Sequence, residues 1–281
     1  MESSPPRTPV RPIRPAAPYI GGKRNLARRL VDLIEATPHR TYAEPFVGMG
    51  GVFLRRLSRP PAEVVNDWSR DVVTFYRILQ RHPVAFLEML RWQFSARAEF
   101  DRLMTVDPDT LTDLERAARF LYLQRQAFGG KVTSRHFGVA INRPSRVDVT
   151  RLQVILDELH DRLAGVVIER LRWQEFVARY DTPETLFYLD PPYYDCERDY
   201  GPGMFGREEF AEMAEILAGL KGRFILSLND VPEVREVFAA FQIETVTTHY
   251  GLAGRGAQPA GEVIITSPGL CPAPRRTAAH A

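Results

Sequence analysis

Short apolar runs alternate with longer amphipathic segments along most of the chain. Apolar runs of this length, bounded by glycine, proline or polar residues, are typical of strands buried in a sheet. They predict strands at 41–46, 63–66, 165–169, 185–190, 223–228, 241–246 and 262–267. Apolar residues at helical spacing predict helices at 23–36, 51–58, 70–81 and 207–220. Strands that alternate with helices in this way predict an open α/β sheet.

The alternation stops between residues 75 and 164, where the pattern is almost entirely helical. Thr112 and Glu115 are spaced as a capping box, which begins a helix. A second apolar stripe follows at Leu152, Ile155, Leu156, Leu159 and Leu163. Between these helices, residues 128–146 are rich in glycine and basic residues, and a loop this long within a compact domain is usually functional or disordered. The pattern predicts a helical insertion that projects a basic loop.

Both ends of the chain differ from this pattern. Residues 1–17 are rich in proline and arginine and show no periodicity. Such a composition favours a disordered basic arm. Residues 268–281 are similarly rich in proline, alanine and arginine, and they predict a loose tail.

The overall composition is that of an ordinary globular protein. The chain has 281 residues, of which 44% are hydrophobic and 26% charged, and its net charge is +2. No apolar run reaches the roughly 18–20 residues that a membrane span requires. Cys196 and Cys271 are far apart and form no C-x-x-C pattern. This argues against a disulfide framework or a structural zinc site and favours a reducing cytoplasm.

Charge is concentrated in the helical segment. Between residues 116 and 151 the only acid is Asp148, and the basic residues are Arg116, Arg119, Arg125, Lys131, Arg135, Arg143, Arg146 and Arg151. Arginine is suited to contacts with phosphate and guanine. The run is therefore compatible with nucleic-acid binding, and the alternative is a solvated helix face.

A glycine-rich turn follows the first predicted strand. Residues 43–51 read A-E-P-F-V-G-M-G-G, and Asp67 lies at the end of the next strand, 19 residues after Gly48. Glycines let a cofactor approach the backbone, and an acid at this distance can bind ribose hydroxyls. The glycine spacing lacks the third position of G-x-G-x-x-G, which favours S-adenosylmethionine over a dinucleotide. The alternative is that Asp67 only caps the next helix.

Two further motifs can carry chemistry. Pro18 to Lys23 places two glycines and a lysine before a helix, without the pattern of a phosphate loop; the alternative is a turn with a solvated lysine. The strand at 185–190 ends in Asp190, Pro191, Pro192 and Tyr193. The Asp190 carboxylate and the Pro191 carbonyl are two acceptors suited to an –NH₂ group, and the Tyr193 ring suits a planar base. The alternative is a proline-terminated strand with surface tyrosines.

In this order, the motifs resemble the D12-class, Dam-like N6-adenine DNA methyltransferases of the α type. The matching blocks are Y-I-G-G-K at 19–23, A-E-P-F-V-G-M-G-G at 43–51, V-N-D at 65–67, L-Y-L-Q-R-Q-A-F-G-G at 121–130 and Y-L-D-P-P-Y at 188–193. The resemblance runs from residue 18 to 267. It implies a Rossmann-like, seven-stranded S-adenosylmethionine-dependent methyltransferase fold with an inserted helical target-recognition domain.

The resemblance also implies domains and site residues. The catalytic domain would comprise 18–74 and 165–267, and the target-recognition domain 75–164, with 126–146 as its base-reading hairpin. The cofactor-binding residues would be Tyr19, Lys23, Glu44, Phe46, Gly48, Gly50, Asp67 and Asp190. Catalysis would fall to Asp190, Pro191, Pro192 and Tyr193. The DNA contacts would come from Arg125, Lys131, Arg135, Asn142 and Arg143.

The expected reaction is methyl transfer from S-adenosylmethionine to the N6 amine of adenine in double-stranded DNA. It needs no metal, and a monomer without an obligate protein partner suits a reaction on one base. One alternative is methylation of an exocyclic amine of RNA or of cytosine N4. Another is a DNA-binding homologue that has lost catalysis.

Overall fold

The computed structural model describes residues 7–23, 25–138, 145–250 and 258–270. Its main sheet has seven strands, ordered β3-β2-β1-β4-β5-β7-β6 when numbered along the chain. They are β1 (Thr41–Glu44), β2 (Ala62–Asn66), β3 (Val167–Glu169), β4 (Thr185–Leu189), β5 (Arg223–Asn229), β6 (Gln242–Tyr250) and β7 (Gln258–Thr266). The predicted seven-stranded α/β fold is confirmed.

The sheet is mostly parallel. Strands β3, β2, β1, β4 and β5 pair in parallel, whereas β7 pairs antiparallel with both β5 and β6. The chain runs outward from β1 to β3 and then returns to place β4 on the other side of β1. The carboxyl ends of β1 and β4 therefore meet at a topological switch point, where open α/β sheets bind ligands.

Nine α-helices are present in the described ranges. They are α1 (Ala27–Ala36), α2 (Arg70–Arg81), α3 (Pro83–Arg91), α4 (Arg97–Thr105), α5 (Asp113–Gln126), α6 (Val149–Arg162), α7 (Trp173–Tyr180), α8 (Glu209–Ala218) and α9 (Pro232–Val237). No helix in this part of the chain is long and apolar enough to cross a membrane.

The central strand β4 shows why the sheet is buried. All of its residues are buried, and its sequence T-L-F-Y-L is apolar on both faces, as expected where helices cover both sides of a parallel sheet. Leu186 and Tyr188 pack into the apolar cluster on one face. Phe187 and Leu189 pack into the cluster on the other. The two clusters hold rigid the strand that ends at Asp190.

The segment between β2 and β3 contains the helices α2 to α6. The capping box at the start of α5 is confirmed, because the Thr112 and Glu115 side chains each bond to the other's backbone N–H. Leu156 in α6 and Phe120 in α5 belong to the same apolar cluster as Leu186 of the sheet. The helices thus share a core with the sheet, and their role as a separate target-recognition domain stays a prediction.

The predicted helix at 51–58 is wrong. Only Phe53–Arg55 form a short 3₁₀ helix, and Ser58–Arg59 pair as a strand with Thr8–Pro9. Gly50 and Gly51 precede this segment and Pro60 and Pro61 follow it, so there is little room for a regular α-helix.

The prediction of disorder over residues 1–17 is wrong for its described part, residues 7–17. Ile13, Ala16 and Ala17 are buried in the core, and the Ile13 N–H donates to the Leu54 carbonyl. These few apolar residues anchor the segment in the core, although its overall proline-rich composition is typical of disorder. At the other end Leu270 is also buried, while residues 1–6 and 271–281 lie outside the described residues.

Candidate active site

A pocket opens at the switch point between β1 and β4. Its walls come from residues 18–23, from the glycine turn after β1, and from Asp67 after β2. Asp190 and Pro192, after β4, close one side. The structure thus brings together the separate motifs that the sequence singled out.

Asp67 joins the glycine turn to the end of β2. One carboxylate oxygen accepts from the Gly48 N–H at 2.9 Å, and the other accepts from the Ser69 N–H at 2.8 Å. Ser69 caps α2, so the alternative that Asp67 merely caps this helix is wrong. Burial raises the pKa of Asp67 to about 6, although both N–H donors oppose that rise.

The glycines are required by geometry. Gly48 has φ +49°, and a Cβ built on it would lie 3.0 Å from the Tyr19 ring. Gly50 has φ +73°, and a Cβ there would lie 2.7 Å from Leu54 Cγ. Positive φ and close approach both disfavour a side chain at these positions. Tyr19 therefore packs directly on the glycine turn.

Glu44 lies at the end of β1 on the pocket wall. It is 1% exposed, and the Tyr42 hydroxyl donates to it at 2.6 Å. Burial raises the pKa of Glu44 to about 8, the Tyr42 hydrogen bond opposes the rise, and the charge of Asp190 adds to it. This carboxyl group can therefore be protonated near neutral pH, when it can donate as well as accept.

Phe46 supplies an aromatic wall to the pocket. Its ring lies 6.4 Å from that of Trp173 and 6.0 Å from that of Phe205, measured between centroids. Aromatic rings at such separations pack favourably. This arrangement forms an apolar surface suited to a planar heterocycle.

Lys23 is buried against Asp190. Its Nζ lies 2.6 Å from Asp190 Oδ1, and its side chain is 1% exposed, so the alternative of a solvated lysine is wrong. Ser227 also donates to Oδ1, at 3.2 Å, and contacts the Tyr188 hydroxyl at 2.9 Å. Burial raises the pKa of Asp190, and Lys23 opposes this rise most strongly. The lysine thus favours the ionised carboxylate.

The two prolines and Tyr193 continue from Asp190. Pro191 and Pro192 are buried, and Pro192 lines the pocket. The Tyr193 hydroxyl accepts from Lys23 Nζ at 2.7 Å, and the same amine lies 4.1 Å from the centroid of the ring. Tyr193 is half-buried and fixed by these contacts, so the alternative of simple surface tyrosines fails for this residue.

The next two residues anchor the loop. The Asn229 side chain accepts from the Tyr194 N–H at 2.9 Å and donates to the Tyr194 carbonyl at 3.1 Å. Arg207 stacks 3.9 Å from the Tyr194 ring and pairs with Asp195, which has φ +70°. Sequence motifs missed Ser227 and Asn229, since only the alignment of β4 with β5 brings them to the site.

The predicted DNA contacts have different environments. Arg125 donates to the Ala16 and Arg146 carbonyls, so its guanidinium joins the N-terminal segment to the helical one. Lys131 is exposed, and half-buried Arg135 donates to Gln124 at 3.1 Å. Asn142 and Arg143 lie outside the described residues. Whether these residues bind DNA stays a prediction.

Much of the basic run is structural. Arg116 is buried in ion pairs with Asp71 at 2.6 Å and Asp109 at 2.7 Å. Arg119 is buried and donates to the Leu103 carbonyl at 2.8 Å. The interpretation of the basic run as a solvated helix face is therefore wrong for Arg116 and Arg119. These two residues also cannot be counted among the charges that would bind phosphate.

Together, the sheet and the pocket at its switch point define an α/β fold with a candidate ligand site. The family model of the D12 class N6 adenine-specific DNA methyltransferases matches residues 19–252. The chain belongs to this family, as its motifs predicted.

Two curated relatives are similar over most of their length. The chain is 25% identical over 279 residues to the type II methyltransferase M1.LlaDCHI of Lactococcus lactis subsp. cremoris, an alignment that covers 92% of this chain and 96% of that protein. It is 22% identical over 233 residues to the type II methyltransferase M.CviBI of Paramecium bursaria Chlorella virus NC1A, covering 82% and 88%.

Proposed function

We propose that this protein transfers a methyl group from S-adenosylmethionine to the N6 amine of adenine at a specific site in double-stranded DNA. The observation that carries the proposal is the position of Asp190. Its carboxylate lies at the carboxyl end of β4, is held by Lys23 at 2.6 Å, and borders the pocket formed by the glycine turn. Family membership supports the same reaction.

The pocket fits S-adenosylmethionine chemically. Asp67 offers buried carboxylate oxygens to the ribose hydroxyls, Phe46 an apolar surface to the adenine ring, and the glycine turn room for the methionine part. Tyr19, Lys23 and Glu44 complete the walls. When bound, the cofactor supplies an electrophilic methyl group.

Asp190 and Pro191 activate the target amine in this proposal. The lone pair of adenine N6 is delocalised into the ring, so the amine is a weak nucleophile. Two hydrogen bonds, from its N–H groups to the Asp190 carboxylate and the Pro191 carbonyl, favour a tetrahedral nitrogen with a localised lone pair. Since Lys23 and Ser227 both bond to Oδ1, we assign Oδ2 to the amine.

The same acceptors stabilise the transition state. As the methyl group passes from the sulfonium sulfur, which would leave as a neutral thioether, the N6 nitrogen would gain positive charge. Both acceptors would then interact with it more strongly than in the ground state. Loss of the extra N6 proton to solvent would give the neutral N6-methyl product. Lys23 favours the ionised Asp190 carboxylate, which is a stronger acceptor than the protonated group. Tyr193 offers its ring to the adenine, and such stacking contributes about 1–3 kcal/mol per base.

The target adenine must leave the DNA helix to reach these groups. Extruding a base costs a few kcal/mol, which stacking on Tyr193 partly offsets. We assign DNA recognition to the helical segment and its loop, including Lys131 and Arg135. Thr133 donates to the Asp199 carbonyl at 3.1 Å, so the loop contacts the segment that follows the catalytic motif.

We also propose that the protein is a cytoplasmic monomer without an obligate partner. The cysteine usage supports the cytoplasmic location, and a reaction on one base suits a monomer. Sedimentation of the protein with and without duplex DNA tests the oligomeric state, and a stable dimer in both samples would contradict it.

The reaction is tested by nucleoside mass spectrometry. The protein is incubated with labelled S-adenosylmethionine and with duplex DNA, single-stranded DNA or RNA of random sequence. We expect N6-methyladenine, chiefly from the duplex sample. N4-methylcytosine or methylated RNA would instead identify one of the alternative amine-methylating activities. If the protein does not bind the labelled cofactor, it is a homologue that has lost catalysis.

A further inference from the structure

A buried amide joins the helical segment to the wall of the pocket. Gln124 lies near the end of α5 and is fully buried. Burying an amide costs free energy unless its polar atoms are hydrogen-bonded. The proposed mechanism does not use this residue, so its role must come from the groups that it contacts.

Three hydrogen bonds fix the Gln124 amide. Its Nε2 donates to the Pro18 carbonyl at 2.9 Å and to the Gly130 carbonyl at 2.7 Å. Its Oε1 accepts from Arg135 at 3.1 Å. Because carbonyls only accept and a guanidinium only donates, these partners determine which end of the amide faces each of them.

The two carbonyls belong to different parts of the molecule. Pro18 is in the pocket wall, whereas Gly130 is in the loop that carries Arg135. The Ile20 N–H also donates to the Gly130 carbonyl, at 3.0 Å. A Cβ built on Gly130 would lie 2.9 Å from the Tyr19 nitrogen, so the loop packs directly on the backbone of the wall.

The connection continues into the pocket. Tyr19 lines the pocket and packs on the glycine turn, where a Cβ built on Gly48 would lie 3.0 Å from its ring. Gln124 is not among the described residues that line the pocket. Because it is also fully buried, it can act on a bound cofactor or a bound DNA through its hydrogen-bond partners rather than by direct contact.

We propose that Gln124 is a positioning residue that couples DNA binding to cofactor binding. Arg135 has five N–H donors, so it can contact DNA while it still donates to Gln124. DNA that holds Arg135 thereby orders Gln124 and the wall residues around Pro18. Because binding of the first ligand bears most of this ordering, the second ligand binds more tightly, whichever comes first. This inference rests on the proposed function, which assigns DNA to the loop and S-adenosylmethionine to the pocket.

The test measures how strongly duplex DNA enhances cofactor binding. The Kd of S-adenosylhomocysteine, which has no methyl group to transfer, is measured with and without a saturating duplex that carries a sequence methylated by the wild type. We expect the duplex to lower this Kd at least about fivefold for the wild type, the lower end of typical coupling between sites. Gln124→Met preserves the size of the side chain but removes all three hydrogen bonds, so this factor should fall below about twofold.

Gln80→Met is the matched control. The Gln80 amide also donates to two backbone carbonyls, those of Leu163 and Val166, each at 2.9 Å. These carbonyls lie between α6 and β3 rather than in the loop or the pocket wall, so Gln80→Met should keep the wild-type factor. A wild type without coupling, a Gln124→Met variant that keeps it, or equal losses in the two variants would overturn the proposal.

Hydrogen exchange of the wild-type protein gives a test that needs no variant. Residues 128–138 of the loop do not line the pocket. If the pocket and the loop are coupled, S-adenosylhomocysteine alone should slow amide exchange in this segment. Unchanged exchange in a protein that binds this ligand would overturn the inference, even if Gln124→Met does not fold.

The two proposals fail in different ways. If the wild-type protein forms no N6-methyladenine, the proposed function is wrong. If it forms N6-methyladenine but Gln124→Met keeps the coupling, only the role of Gln124 is wrong.

Discussion

At the scale of residues, burial decides how the site's acids behave. Asp67, Glu44 and Asp190 are all withdrawn from water, and burial raises the pKa of each. Only Asp190 has a buried cation at hydrogen-bond distance, Lys23, among the contacts of these three acids in the described residues. The structure thus favours an ionised Asp190 beside a Glu44 that can carry a proton near neutral pH.

The pKa of Asp67 predicts how cofactor binding depends on pH. In the proposed complex, the ribose hydroxyls of the cofactor would donate to the ionised Asp67 carboxylate, so protonation of Asp67 near pH 6 should weaken cofactor binding. A single group with this pKa weakens affinity about tenfold between pH 7 and pH 5. Glu44, with a pKa of about 8, is already largely protonated across this window.

Isothermal titration of S-adenosylmethionine from pH 5 to 7 measures this dependence, with Asp67→Asn as the control. The Asp67→Asn variant should bind the cofactor weakly, and its affinity should not depend on pH in this range. If the affinity of the variant changes with pH as much as that of the wild type, Asp67 is not the group that causes the pH dependence. The stability of the free protein changes with pH in the opposite direction to cofactor affinity. Since the folded pKa is raised above 3.8, protonated Asp67 favours the fold at low pH, and this contribution is lost as pH rises through about 6.

At the scale of elements, the glycine turn after β1 depends on backbone conformation and on space. Gly50 has φ +73° and close neighbours at Leu54 and Tyr76, whereas Gly269 has φ +82° and nothing within 4 Å of its Cβ position. The two positions therefore share the strain of a left-handed backbone and differ only in crowding.

This pair gives a matched test of the turn. Gly269→Ala should lower the free energy of unfolding by about 1–2 kcal/mol, the cost of the backbone conformation. Gly50→Ala should cost about 1–3 kcal/mol more, because its Cβ collides with Leu54. Urea denaturation of both variants measures the difference. Equal losses would show that crowding at the turn is unimportant.

The elements also show what the sequence could predict. The strands and the residues just after β1, β2 and β4 were recognisable, because short-range patterns specify them. Ser227 and Asn229 were not, because they reach the site only through the pairing of β5 with β4. The prediction of a helix at 51–58 was wrong because the apolar residues of this segment lie in a short 3₁₀ turn that packs on the N-terminal segment.

At the scale of the whole molecule, a buried ion cluster ties the helical segment to the sheet. Glu63 in β2 accepts from Arg56 at 2.7 Å and from both terminal nitrogens of Arg162, at 2.7 and 2.8 Å. Arg162 ends α6, and Arg56 stacks 3.9 Å from the Tyr42 ring, whose hydroxyl donates to Glu44. The cluster thus connects the last helix of the insertion with the wall of the pocket.

Glu63→Gln tests this connection. Removing the charge leaves two buried arginines without their counter-ion, which should cost about 3–5 kcal/mol of unfolding free energy. Glu99→Gln is the control, since it disrupts an exposed pair with Arg102 and should change stability little. Thermal and urea unfolding measure both. A Glu63 variant as stable as the control would contradict the assignment.

In the proposed mechanism, Asp190 accepts a hydrogen bond from the N6 amine of adenine during methyl transfer. The most direct measurement is the N6-methyladenine content of DNA from a methylation-free host that expresses either the wild-type protein or Asp190→Ala. We predict N6-methyladenine at a specific sequence with the wild type and none with the variant, although the variant should fold and bind S-adenosylmethionine. Equal methylation by both proteins would contradict this role of Asp190, and no N6-methyladenine with the wild type would contradict the proposed reaction.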